Sequence, residues 1–137
     1  MEYREEIIDH YKNPRNFGEM EDADVTINEA NASCGDVVQI QVKMGVSGVR
    51  LPHPDKIGVR NDEKVIMEMR WRGVGCAIST AAASMLSEKV VGMKVKDISK
   101  IGEEGIKRMM GGEINLGRMK CATLAYRGLL KVFENNG

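Results

Sequence analysis

The sequence has no apolar run approaching the ~18 residues of a membrane-spanning helix, and it has no excess of either charge. Its 20 Lys and Arg residues balance 20 Asp and Glu residues, so the formal net charge at pH 7 is zero. This balance argues against nucleic acid and acidic membranes as principal partners. The charged, acidic N-terminal residues MEYREE are unlike a secretory or transit signal and predict a cytoplasmic protein.

Cysteine is scarce as well. The chain has three cysteines, and an odd number without an export signal argues against a disulfide framework and fits a reducing cytoplasm. The cysteines are 42 and 45 residues apart, so they match no local zinc or ferredoxin pattern of the C-x-x-C type. The length of 137 residues predicts one domain, residues 1–137, with one buried core.

The periodicity of the apolar residues predicts an α+β fold. Alternation predicts strands over residues 37–43 and 65–72, and residues 25–31 are a candidate for a further short strand. Helical spacing predicts helices over residues 2–12, 77–91, 95–101 and 103–110, and a last helix that starts near Cys121. Residues 46–62 contain two glycines and two prolines and predict a long irregular connection. Because strands precede most helices, we expect helices packed on one face of a small antiparallel sheet.

Each cysteine stands in a setting that favours thiolate, the form that binds metal and attacks sulfur. Cys34 lies two residues before Asp36, Cys76 directly precedes a predicted helix, and Cys121 follows Lys120. Three soft sulfur ligands and one carboxylate would complete a tetrahedral zinc site or hold an iron–sulfur unit. The residues alone leave two alternatives open, which are separate buried thiols and a single reactive thiol on a redox or acyl-transfer enzyme.

Four stretches together carry a resemblance to a known family. They are residues 8–18 (IDHYKNPRNFG), 32–36 (ASCGD), 73–79 (GVGCAIS) and 120–125 (KCATLA), and they are preceded by Tyr3. In this order, and over nearly the whole chain, the sequence resembles the U-type iron–sulfur cluster assembly scaffolds, which include IscU, SufU and the N-terminal domain of NifU.

The resemblance implies an N-terminal helix, a three-stranded antiparallel sheet and helices packed on one of its faces. It implies that Cys34, Asp36, Cys76 and Cys121 bind a [2Fe-2S] cluster, so the chain would be a scaffold rather than an enzyme. A cysteine desulfurase would supply sulfur as persulfide to Cys121 or Cys34, and apo iron–sulfur proteins would receive the cluster. A cluster shared between chains, or contacts through Tyr3, would make the protein a homo-oligomer.

The sequence mixes features of the ISC-type and SUF-type members of this family, and this leaves a second function open. Lys120 stands where ISC-type scaffolds carry histidine, as in SUF-type proteins, whereas the short spacing between Cys76 and Cys121 is of the ISC type. The alternative is a SufU-type sulfur-transfer partner of a desulfurase, with Zn²⁺ on the same four residues. Residues 46–62 also form a longer connection than either type has, which is either a loop or hairpin, or a partner or self-association surface.

Overall fold

The computed structural model of the protein describes residues 3–31, 35–46, 49–50, 64–112 and 116–134. Cys34 and most of the predicted connection over residues 46–62 therefore lie outside the described residues. The elements are α1 (Tyr3–Lys12), β1 (Val25–Asn31), β2 (Asp36–Val46), β3 (Val49–Arg50), β4 (Lys64–Val74), α2 (Ala77–Val90), α3 (Val95–Ile98), α4 (Gly102–Met109), α5 (Leu116–Ala122) and α6 (Leu124–Glu134).

The sheet is built around β2, which pairs antiparallel with β1, with the two-residue β3 and with β4. Burial alternates along β2, so Val38, Ile40, Val42 and Met44 face the core. The alternating polar residues of the sheet line its other face, where Lys43 forms an ion pair with Glu68 at 3.6 Å. The predicted α+β arrangement is confirmed, because α2 and α6 pack on the apolar face of the three long strands.

Helix α2 is buried on several sides, whereas a helix on the surface of a sheet buries only one apolar stripe. Alanines and serines at positions 79, 81–84 and 87 are all buried, and α2 contacts α1, α5, α6 and β4. Small side chains allow this close approach on several sides of one helix. In the part of the chain that the structure describes, no helix is long and apolar enough to span a bilayer.

The prediction that the last helix starts near Cys121, with this cysteine at a helix start, is wrong. Residues Leu116–Ala122 form a separate helix, so Cys121 lies near its end, and α6 begins only at Leu124. Thr123 joins the two helices, because its backbone N–H and its hydroxyl both donate to the carbonyl of Met119, at 2.9 and 2.7 Å. Gly117 and the glycines at 111 and 112 concealed the short helix α5, since glycine lowers helix propensity.

Buried polar contacts attach the N-terminal segment to α2. The Ser84 hydroxyl lies 2.7 Å from Nδ1 of His10 and accepts the backbone N–H of Arg15 at 2.8 Å. Trp71 of β4 donates its indole N–H to the Arg15 carbonyl at 2.8 Å. Burial and the nearby Arg15 lower the pKa of His10, which favours the neutral ring. His10 is therefore a structural residue, since its ring binds the buried Ser84 hydroxyl that also holds Arg15.

We expect Ser84→Ala to destabilise the protein by about 2 kcal/mol, because it leaves the buried His10 ring nitrogen and the partly buried Arg15 N–H without their partner. Urea unfolding followed by circular dichroism measures the change. The control is Ser99→Ala at an exposed position, which should change the free energy of unfolding by no more than about 0.5 kcal/mol. Equal midpoints for the two variants would contradict this account.

Candidate metal centre

The β1–β2 connection places Asp36 at one end of the sheet. Asn31 and Asp36 are the last pair between the two strands, and the Gly35 N–H donates to the Asn31 carbonyl at 2.9 Å. Gly35 has a φ of 72°, a left-handed conformation that glycine adopts without strain. The Asp36 side chain is consequently held at the start of β2, where only 4% of the residue is exposed.

Cys76 reaches the same end of the sheet from β4. Because β2 and β4 are antiparallel, their pairing ends at Val37 and Val74, next to Asp36 and close to Cys76. A Cβ on Gly75 would lie 2.4 Å from the Ser79 Oγ and 3.2 Å from the Asp36 carboxyl carbon. Glycine is therefore needed here for the carboxylate to approach the start of α2. Cys76 is the residue that precedes α2, and it is half-buried.

Cys121 reaches the site from the opposite side, near the end of α5. Helix α5 packs against α2, and only 1% of Cys121 is exposed. The sulfurs of Cys76 and Cys121 and one carboxylate oxygen of Asp36 all lie within 4.8 Å of one another. Ligand atoms around one tetrahedral zinc ion are roughly 3.3–3.8 Å apart, given bonds of about 2.0–2.3 Å. A small contraction of the three side chains would thus allow them to share one metal ion.

The environment of Cys76 favours its thiolate. Burial raises the pKa of the Cys76 thiol, but hydrogen bonds from the Ser79 N–H and hydroxyl, the Cys121 thiol and the Ile78 N–H outweigh it. The pKa of Cys76 is consequently below its ordinary value, with the Ser79 Oγ 3.6 Å from the sulfur. These surroundings therefore favour the thiolate form of Cys76, which is the form that binds soft metal ions and attacks sulfur.

Asp36 carries a second sign of a ligand site. Its Oδ2 is buried and has no hydrogen-bond partner within the described ranges. A buried carboxylate oxygen without a donor is costly, unless a cation completes its surroundings. Two sulfurs and this carboxylate form a mixed soft and hard set that suits zinc or an iron centre better than magnesium or calcium. The residues present fit a metal ion of this type.

The structure brings together three of the four residues that the sequence predicts for the site, namely Asp36, Cys76 and Cys121. Cys34, the fourth, lies outside the described residues. Lys120 neighbours Cys121 but is exposed, and its carbonyl accepts a hydrogen bond from Arg127 at 2.9 Å. Sequence reasoning missed Ser79. Its position three residues after Cys76 could have revealed it, because a residue at that spacing in the first helical turn faces the residue before the helix.

Comparisons with known proteins place the chain among NifU-like N-terminal domains. The sequence model of the NifU-like N-terminal domain matches residues 2–52 and 55–135. The chain is 30% identical to the zinc-dependent sulfurtransferase SufU of Bacillus subtilis, over 94% of this chain and 87% of SufU. It is 28% identical to the iron–sulfur cluster assembly scaffold protein IscU 1 of Archaeoglobus fulgidus, over 98% of this chain and 79% of that protein.

A solved structure supports the fold. The crystal structure of the N-terminal part of a nitrogen-fixing NifU-like protein from Brucella abortus superimposes with a TM-score of 0.71. It covers 98% of this chain and 93% of the Brucella chain at 14% sequence identity. At this identity the likeness bears on the fold, and it agrees with the arrangement of the helices and the sheet described above.

We expect Ser79→Ala to raise the pKa of Cys76, because it removes the hydroxyl donor but keeps the backbone N–H. The pH midpoint of Cys76 alkylation by iodoacetamide, read by peptide mass spectrometry, should move upward, and the rate at neutral pH should fall. Ser99→Ala serves as the control and should leave the midpoint unchanged. A midpoint that Ser79→Ala does not move would show that the hydroxyl does not stabilise the thiolate.

Proposed function

The chain belongs to the family of NifU-like N-terminal domains, and on that premise we propose that it is a scaffold for iron–sulfur cluster assembly. The proximity of Asp36, Cys76 and Cys121 is the single observation that carries the proposal, because it joins residues far apart in sequence into one ligand set. The cluster is the cargo of such a protein, which accepts sulfur, holds the growing cluster and passes it to apo-proteins.

Cys34 completes the proposed ligand set. It is two residues from Asp36, on the segment between Asn31 and Gly35 whose ends are joined by a hydrogen bond of 2.9 Å. With Cys34, the set contains three sulfurs and one carboxylate, which equals the four terminal ligands of a [2Fe-2S] cluster. Carboxylate binds a soft centre less firmly than thiolate does. One oxygen ligand among three sulfurs therefore suits a cluster that is to be released.

Sulfur enters by exchange between a cysteine of this chain and the persulfide of a cysteine desulfurase. The acceptor thiolate attacks the outer sulfur of the persulfide, a new sulfur–sulfur bond forms, and the desulfurase cysteine leaves as its thiolate. No net oxidation or reduction occurs in this step. Cys121 and Cys34 are the candidate acceptors, and Cys121 is buried in the described conformation, so it would require the site to open.

A second function, a zinc-loaded sulfur-transfer partner of a desulfurase, is favoured by Lys120. A protonated lysine cannot bind metal. Lys120 therefore adds no metal ligand to the three cysteines and Asp36. Zinc would be held by Asp36, Cys76 and Cys121, together with Cys34. When bound, it would stabilise thiolates at neutral pH. The relative from Bacillus subtilis, which is named as a zinc-dependent sulfurtransferase, adds weight to this alternative.

Anaerobic purification, followed by metal analysis and a visible spectrum, separates the two functions. For the scaffold we expect a brown protein that contains iron and acid-labile sulfide after incubation with a cysteine desulfurase, cysteine, ferrous iron and a thiol reductant. Cys76→Ser should lose most of this cluster, since it removes the thiolate of lowered pKa. A colourless protein that keeps one zinc ion and only accepts persulfide would instead support sulfur transfer.

We expect Asp36→Ala to slow the loss of the assembled cluster severalfold, because it removes the weaker oxygen ligand and leaves the sulfur ligands in place. The decay of visible absorbance during transfer to an apo-ferredoxin measures this rate. Asp97→Ala changes an aspartate that pairs with Lys100 at 3.3 Å, and it serves as the control. Equal or faster decay in Asp36→Ala than in Asp97→Ala would contradict the proposed role of the carboxylate.

A further inference from the structure

Asn31 lies beside Asp36 on the buried face of the sheet. The two residues are directly opposite each other in the antiparallel pairing of β1 and β2, and residues paired in this way point to the same face. Their Cβ atoms are therefore about 5 Å apart. Both are buried, with 6% of Asn31 and 4% of Asp36 exposed. An amide and a carboxylate thus stand side by side at the candidate metal centre.

Each of these side chains has one polar atom that is not satisfied. The Asn31 Nδ2, a donor, and the Asp36 Oδ2, an acceptor, are both buried and have no hydrogen-bond partner in the described parts of the chain. Burial without a partner is unfavourable for either group. Because one group is a donor and the other an acceptor, on residues that face each other across the two strands, the two call for a common explanation. The last torsions of asparagine and aspartate are broad, so modest rotations would bring donor and acceptor together.

Metal binding by Asp36 would give the Asn31 donor an acceptor to stabilise. When one oxygen of Asp36 binds a metal ion, the other oxygen keeps part of the negative charge in a buried setting. Donors to a ligating carboxylate fix its orientation and strengthen metal binding. Sequence reasoning passed over Asn31, because asparagine before a turn usually indicates turn formation only.

We propose that Asn31 is a positioning residue for the metal ligand Asp36. Its amide N–H donates to the carboxylate oxygen that the metal ion does not occupy, and so holds the other oxygen toward the sulfurs of Cys76 and Cys121. The inference rests on the proposed function, since it requires Asp36 to be a ligand. It adds a residue outside the four-member ligand set and explains both unsatisfied atoms at once.

Titration of the full chain with Co²⁺ under anaerobic, reducing conditions tests the proposal. Cobalt bound by cysteine thiolates shows sulfur-to-metal charge-transfer bands, and its d–d bands report the ligand geometry. Asn31→Leu keeps the approximate shape of the side chain but removes the donor. We expect it to weaken Co²⁺ binding by about 10- to 100-fold and to shift the d–d bands. Asn31→Ser, which restores a donor, should recover part of the affinity.

The matched control is Asn28→Leu, the same change on the same strand at an exposed position whose cross-strand partner is Gln39. It should bind Co²⁺ as the unmodified protein does. The metal-free Asn31→Leu protein should melt at the same temperature as the unmodified protein or higher, because it lacks an unsatisfied buried donor. A merely structural role for Asn31 predicts a lower melting temperature instead.

Two results would overturn the inference alone. In the first, Asn31→Leu binds Co²⁺ with unchanged affinity and an unchanged spectrum. In the second, Asn31→Leu binds Co²⁺ more weakly, its metal-free form melts at a lower temperature, and Asn31→Ser does not recover the affinity. A third result, unmodified protein without thiolate–cobalt bands, would overturn the proposed ligand set and this inference together. The failure of the proposed function is thereby distinguished from the failure of the role assigned to Asn31.

Discussion

The antiparallel pairing of β2 with β4 is the constraint on which the site depends. It places the first residue of β2, Asp36, at the same end of the sheet as the last residues of β4, and Cys76 follows two residues later. A slip of one residue in this register would turn Asp36 to the opposite face of the sheet. The buried alternation of Val38, Ile40 and Val42 fixes the register against such a slip, so one pattern specifies both the apolar core and the candidate ligand set.

The helices complete the site by bringing thiols to the strand ends. Helix α2 starts where β4 stops, so its first backbone N–H groups and Ser79 surround the sulfur of Cys76. Small residues along α2 let α1, α5 and α6 pack closely around it. This packing carries the Cys121 sulfur to within 4.8 Å of the candidate ligand atoms of Asp36 and Cys76. The site is consequently buried on the side of Cys121 and more open at Cys76. This difference in exposure bears on which thiol a partner protein can reach.

The sequence predicted most elements of this fold from periodicity. Alternation located β2 and β4, and β1 agrees with the candidate short strand over residues 25–31. The start of the last helix was wrong, because Gly117 and the glycine pair at 111 and 112 masked the helical character of α5. Propensity describes single residues, whereas packing against α2 decides whether so short a segment is helical.

By itself, the sequence determined which side chains could bind metal and in what local settings they stand, since thiolate chemistry follows from residue type and near neighbours. The resemblance to U-type scaffolds implied that Asp36, Cys76 and Cys121 meet, but their spacing could not show it, because separations of 40 and 45 residues carry no distance information without strand register and helix packing. Only the tertiary structure decided that distance, the donors to Cys76, and the placement of Asn31 opposite Asp36. Each of these is a contact between elements, and burial of a common core is what fixes the positions of those elements relative to one another.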